Sequence, residues 1–267
     1  HEEETASAGY YSVRLQDYDI QAELTATTRV GLLRYTFPES DTSRILLDAS
    51  HTLEDEPVSE ATIQVLDNET VVGSQTNPSP FHHGPTPYTI YVAAKFSQPF
   101  DSYGTWNGNR VKEGSPSASG RDVGAFFNYN TDPGEKVLVK VGISYVSTNN
   151  ALANIEAEVP GWDFEQVKEQ ARNTWNERLS RIEVSGGSEE DKVKFCTSLY
   201  RALLGPYTFS DANGEYIGFD HEIHRAEGYT QYHTFSQWDT FRHAHPLYTI
   251  IEPEVQKCCS EVTHCGL

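Results

Sequence analysis

Residues 137–182 read VLVKVGISYVSTNNALANIEAEVPGWDFEQVKEQARNTWNERLSRI, and a change of period inside them decides the fold. At their start Val137, Val139, Val141, Ile143 and Tyr145 alternate with Leu138, Lys140, Gly142 and Ser144, the period of a strand with one buried face. Near Asn149 that alternation stops. Trp162-Asp163-Phe164-Glu165-Gln166-Val167 then reads as a helix entrance, with Asp163 as N-cap, Gln166 able to reach back and Trp162 able to staple onto Val167. Phe164, Val167, Ala171, Trp175, Leu179 and Ile182 follow at helical spacing and predict one apolar face.

Upstream, Tyr88, Ile90, Val92, Ala94 and Phe96 repeat the strand period, and residues 29–37, 43–48, 61–66 and 123–129 give further short candidates. Turn residues separate them at Asp67-Asn68, Pro78 to Pro80, Asn107-Gly108, Asp132-Pro133-Gly134 and GSPSASG, which reads as a short flexible loop. Many short strands punctuated in this way predict a β-sandwich rather than alternating strands and helices. Downstream, Gly186-Gly187 ends the first long helix. Ser188 opens a second, with Val193, Cys196, Leu199, Tyr200, Leu203 and Leu204 expected inward, and Gly205-Pro206 stops it. A third helical pattern is expected from near Ser236, with Trp238, Phe241 and Leu247.

The 267 residues, 37% hydrophobic and 22% charged, suffice for one large or two ordinary globular domains. No apolar run approaches membrane-spanning length. A formal net charge of −19 argues against an extended nucleic-acid interface, which needs clustered Lys and Arg. The chain contains no methionine, and its start, HEEETASAGYY, has no apolar signal core; we expect a processed product or a fragment.

The stretch richest in chemistry is YTFSDANGEYIGFDHEIHRAEGYTQYHTFSQWDTFR, residues 207–242. It sets Asp211, Glu215, Asp220, Asp239 and Arg242 among Tyr207, Phe209, Tyr216, Phe219, Tyr229, Tyr232, Phe235 and Trp238, a mixture that suits a sugar whose C–H face stacks on a ring while its hydroxyls meet carboxylates. Ordinary surface loops also mix these residue types. Glycoside inversion needs a carboxylic acid and a carboxylate roughly 6.5–9.5 Å apart, and Asp211, Glu215, Asp220, Glu222 and Asp239 are the local supply, but nothing in the sequence selects a pair. His82-His83, His221, His224, His233, His243 and His245 lack the spacing of a helical zinc motif, and DANGEYIGFD falls short of an EF-hand loop, so no metal ligand is assigned. No GxSxG, phosphate loop or dinucleotide fingerprint is present, and Cys196 is expected on a buried helix face. Cys258, Cys259 and Cys265 crowd the end without zinc spacing; a disulfide from Cys265 to one of that pair is left open.

DANGEYIGFD, followed by EGYTQYHTFSQWDTFR and HPL, resembles the start of the catalytic domain of glycoside hydrolase family 92, calcium-dependent exo-α-mannosidases that invert the anomeric centre. The likeness extends through VGISYVSTNNALANIEAEVPGWDFEQVKEQARNTWNERLSRIEV, GYYSVRL and AELTATTRVG, up to about Pro253. It implies a multidomain β plus α fold: a β-sandwich over 1–148 incomplete at its N-terminus, linker helices over 149–187, and over 188–253 the truncated beginning of an α/α toroid, a six-hairpin barrel. Residues 254–267 depart from the family pattern and are expected to be an aberrant or truncated tail.

The resemblance further implies an inverting, exo-acting α-mannosidase that releases mannose from N-glycans or mannans. It implies calcium in the full-length enzyme, and a secreted, periplasmic or cell-surface location. The family's acid, base and calcium ligands would fall after Leu267, so no catalytic residue is assigned. The family's sugar-contacting WD element corresponds to Trp238 and Asp239, with Arg242 beside them as a third substrate-binding candidate. Asp239 reads alternatively as a helix N-cap, Trp238 as core packing, and Arg242 as the ion-pair partner of Asp239 or Glu252. The rival function is a non-catalytic carbohydrate-binding or scaffold sandwich that has lost the barrel.

Overall fold

The computed structural model describes residues 3–52, 58–78, 87–233 and 237–264. The expected turn residues Ser79 and Pro80, and also His82-His83, Phe235, Ser236 and Cys265, lie outside them. Strands β1 (Glu4–Ser7), β2 (Tyr10–Leu15), β3 (Ile20–Ala26), β4 (Val30–Phe37), β5 (Ser40–Asp48), β6 (Glu60–Val65) and β7 (Thr70–Asn77) come first. They are followed by β8 (Tyr88–Phe96), β9 (Ser102–Asn107), β10 (Arg110–Glu113), β11 (Ser117–Gly120), β12 (Val123–Thr131) and β13 (Glu135–Ser144). A nine-stranded sheet runs β1-β2-β3-β4-β13-β8-β7-β6-β11, and a four-stranded sheet runs β10-β9-β12-β5. The GSPSASG segment is thus only partly a loop: Ser117–Gly120 pairs with β6 as an edge strand.

The two sheets close on one apolar layer, as a sandwich does. Ile63, Val71, Phe96, Val137 and Val139 from the larger sheet meet Ile45, Val123, Phe127 and Tyr129 from the smaller. Phe96, Phe100 and Phe127 form its aromatic centre, with centroids 4.7 Å apart for Phe96–Phe127 and 4.9 Å for Phe100–Phe127. Each such side chain contributes about 1.5–3 kcal/mol of burial.

The far face of the larger sheet carries the helices. Helix α1 (Thr148–Glu158), capped by Ser147 on the Asn150 amide, lies on β13 so closely that a Cβ at Gly142 would stand 2.4 Å from the Ala151 carbonyl oxygen. This corrects the expected one-sided strand. Val137 and Val139 face the sandwich core, while Lys140, Gly142 and Ser144 are buried on the helix side and Ile143 is 40% exposed. Alternation names two faces but not which of them a later helix will cover.

Helix α2 (Phe164–Leu179) begins at Asp163, whose carboxylate accepts from the Gln166 amide at 3.0 Å. Its apolar face is shared between two cores. Phe164 and Val167 pack with α1 and the sheet, whereas Trp175, Leu179 and Ile182 pack with Leu199, Leu203, Tyr248 and Ile251. Arg34 of β4 clamps its first turn: the guanidinium donates twice to Glu23 at 2.7 Å, pairs with Glu165 at 2.8 Å and lies 4.0 Å from the Phe164 ring centroid. Gly9, at φ 80°, lets the chain pass so near α2 that a Cβ there would sit 2.9 Å from the Ala171 Cβ.

Helix α3 (Glu189–Ala202) starts with the Ser188–Asp191 capping box. Its inward residues are Phe195, Leu199 and Leu203, and the expected list needs correction. Val193 is 64% and Leu204 42% exposed, and Cys196 is exposed as well. Two apolar stripes run along this helix, and the core takes only the one containing Leu199. A short hairpin, β14 (Glu215–Ile217) and β15 (Ile223–Arg225), follows. The single helical pattern expected after Ser236 is divided into α4 (Gln237–Thr240), α5 (Ala244–Ile251) and α6 (Pro253–His264). His245 joins these three, bonding Thr240 and Gln256 at 3.0 Å each, and Val255 and Cys259 of α6 are buried.

Candidate functional site

The DANGEY segment is fastened to the sandwich through one carboxylate. Asp211, 4% exposed, accepts from Ser144 Oγ at 2.7 Å, Asn150 Nδ2 at 2.8 Å and Asn154 Nδ2 at 2.7 Å. Asn154, fully buried inside α1, also donates to the Ile143 carbonyl and accepts from the Ala212 amide, both at 2.8 Å. A buried ion surrounded by neutral donors exchanges its hydration for these bonds. Sequence reasoning missed this role. The signal was an amide at Asn154 beside Ala151 and Ile155, one turn from Asn150, on a helix face otherwise apolar.

A second tether lies alongside. Arg29 donates from Nε to the Ser210 carbonyl and from Nη1 to Glu158, both at 2.6 Å. Between these tethers and the β14–β15 hairpin opens a cleft of about 530 Å³ whose lining includes Arg29, Asp211, Asn213, Arg225, Glu227 and Tyr229.

The local carboxylates take separate duties. Glu215 accepts from Asn150 Nδ2 at 2.8 Å, and the hydrogen bond from Asn150, then that from Asn213, holds its carboxyl below the usual range. Asp220 is likewise lowered, first by the Glu222 backbone amide and then by His224, which it meets at 2.9 Å. A general acid at neutral pH needs the opposite shift. The aromatics also divide. Phe209 packs on Tyr145 at 4.5 Å, and Tyr216 stacks on His224 at 5.7 Å and bonds the Tyr229 hydroxyl at 3.2 Å. Tyr207, Phe219 and Trp238 face solvent at 68%, 71% and 87% exposure.

Trp238, Asp239 and Arg242 occupy α4 and the turn after it, all three exposed. Core packing within this chain is therefore not the role of Trp238. Asp239 lies inside α4 rather than before it, so it does not occupy that helix's N-cap position. Glu252 pairs with Arg181 at 2.7 Å and approaches Arg178 at 3.8 Å, rather than meeting Arg242. None of the three α4 candidates is among the residues lining the cleft. Calcium does not fit what is present: the oxygens of Asp211 and Glu215 receive hydrogen from amides and a hydroxyl, and among the described residues no group of three or more His, Cys, Asp or Glu converges.

Residues 1–144 match the glycosyl hydrolase family 92 N-terminal domain, and residues 150–261 match the family 92 catalytic domain. Among solved structures, a family 92 α-mannosidase of Bacteroides thetaiotaomicron, BT3965, superposes with a TM-score of 0.89 at 31% identity, covering 100% of this chain and 36% of that one. The same protein has also been solved in complex with mannoimidazole. The inverting mannosidase BT2199 of that organism gives 0.86 at 28% identity, over 98% of this chain and 35% of that one. A curated protein of Arthroderma benhamiae named "uncharacterized secreted glycosidase" is 26% identical over 234 residues, 78% of this chain and 29% of its own length. The chain thus spans about a third of the length of these relatives. The match to the catalytic domain does not favour a non-catalytic sandwich.

Proposed function

Since this chain belongs to glycosyl hydrolase family 92, we propose that it forms part of an exo-acting, inverting α-mannosidase that releases mannose from N-glycans or mannans. The observation that carries the reading is the Trp238-Asp239 pair, which stands outside the core on α4 within the family's catalytic match. An indole left 87% exposed gains nothing from folding here, but its face suits the C–H surface of a sugar. The neighbouring carboxylate accepts from two hydroxyls, and Arg242 donates to a third oxygen. Contacts of this kind hold the sugar while it distorts toward the transition state. Calcium is expected in the full-length enzyme, where it would act as a Lewis acid, and no ligand or step is assigned to it in this chain. Export from the cell agrees with the secreted glycosidase among the relatives. Among the described residues no helix is long and apolar enough to cross a membrane.

The test is kinetic. In the full-length enzyme Asp239→Ala lowers kcat/KM on nitrophenyl α-mannoside by at least about tenfold, since a charge-assisted hydrogen bond is worth roughly 1.5–3 kcal/mol. The loss persists at saturating calcium. Wild-type kinetics in Asp239→Asn, together with mere destabilisation in Asp239→Ala, would remove Asp239 from the binding site.

A further inference from the structure

Asn68-Glu69-Thr70 is the one place in the chain where an asparagine stands two residues before Ser or Thr without an intervening proline. This is the acceptor pattern for N-linked glycosylation. The oligosaccharide it receives is bulky and hydrated, so the position must end at the surface once the chain has folded. The pattern alone decides little, and the fold supplies the rest. Asn77-Pro78-Ser79 gives the contrast: proline breaks the pattern, and Asn77 is buried at 6% exposure within β7.

Asn68 lies in the turn that joins β6 to β7, exposed together with Leu66, Asp67 and Glu69. The main chain of this turn is tied down. The Leu66 amide donates to the Thr70 carbonyl at 2.9 Å, and the Glu69 amide donates to the Asp67 carboxylate at 2.8 Å. The carbonyls of Asn68 and Glu69 accept from the amides of Phe100 at 3.0 Å and Phe96 at 2.9 Å. The Asn68 side chain takes no part in these bonds and makes no hydrogen bond of its own among the described residues. A glycan on its Nδ2 therefore breaks no contact that holds the turn. Leu66, 48% exposed two residues earlier, offers the first sugar an apolar neighbour whose cover from water is favourable.

We propose that Asn68 is an N-glycan attachment site, used when the chain passes through a compartment that holds an oligosaccharyltransferase. Nδ2 of Asn68 attacks the anomeric carbon of an oligosaccharide carried on a lipid pyrophosphate. The C–N bond forms as the C–O bond to the pyrophosphate breaks. The lipid pyrophosphate leaves with the electron pair, and the amide gives up one proton to a base of the transferase. Thr70 supplies the hydroxyl of the acceptor pattern. The assignment goes beyond the mannosidase reading and does not depend on it.

The experiment expresses the full-length protein, with a secretion signal supplied, in a eukaryotic host, as wild type, Asn68→Gln and Thr70→Ala. The peptide containing residue 68 is analysed by mass spectrometry before and after peptide-N-glycosidase, in secreted and retained fractions alike. That enzyme leaves aspartate at position 68 however much mannose the glycan has lost, so the readout is independent of the protein's own activity. The expected result is a glycopeptide at position 68 in the wild type and its loss in both variants. An unmodified Asn68 in the wild type, or a glycan that persists there in Thr70→Ala, would overturn the proposal.

Discussion

Asp211 is buried among donors that are themselves neutral, so each of them loses a partner if the carboxylate is removed. Asp211→Ala is expected to lower the stability of the chain by at least about 2 kcal/mol in urea titrations, the cost of stranding such groups. The Glu23–Arg34 pair predicts a pH dependence. The hydrogen bond from Arg34 holds the Glu23 carboxyl below its ordinary value, against the opposing effect of burial. A depressed carboxylate contributes stability above its unfolded pKa and loses it as pH falls through the folded one. Glu23→Gln should therefore narrow the stability gap between neutral and acid pH, which thermal unfolding across that range measures. The cysteines give a third outcome. Cys196 is exposed, whereas burial pushes the Cys259 thiol up to about 11, so a thiolate-selective reagent at pH 8 should label Cys196 well before Cys259. Mass spectrometry of the labelled peptides decides the order.

Among elements, the legible ones were those specified locally. Asp163 and Ser188 marked the starts of α2 and α3 because a cap bonds residues within its own turn. Strands β4, β8 and β12 could be found from their period. Strand β7, with Gly73, Ser74 and Gln75 in its middle, carried no such pattern and owes its place to pairing with β6 and β8. What stayed hidden was set by distant neighbours: the second face of β13, the stripe of α3 that the core takes, and the joining of Asp211 to Asn154 across 57 residues. The Trp238-Asp239 pair could be singled out because two adjacent residues carry it, while the cleft brings Arg29 to residues 210–230 and has no linear signature. For α6, burial of Val255 and Cys259 predicts that deleting residues 254–267 lowers the thermal midpoint by a few degrees, measured by calorimetry.

At the scale of the whole molecule, the helical end leaves Val193, Leu204, Phe241, Ile250 and Trp238 exposed to solvent. The chain expressed alone is expected to bind anilinonaphthalene sulfonate and to scatter light at micromolar concentration, despite its charge of −19. A clear, monodisperse solution without dye binding would contradict this. Helix α2 has a wider effect, because its one apolar face enters the sheet-side core at Phe164 and the helical core at Trp175. Neither core can lose its half of that helix without fraying the other's. Heat should consequently melt sandwich and helices in a single cooperative transition, and the amide protons of α2 should exchange only with global opening. Sixteen residues would then act as a mechanical spar, carrying strain from the helical end of the molecule into the sheet.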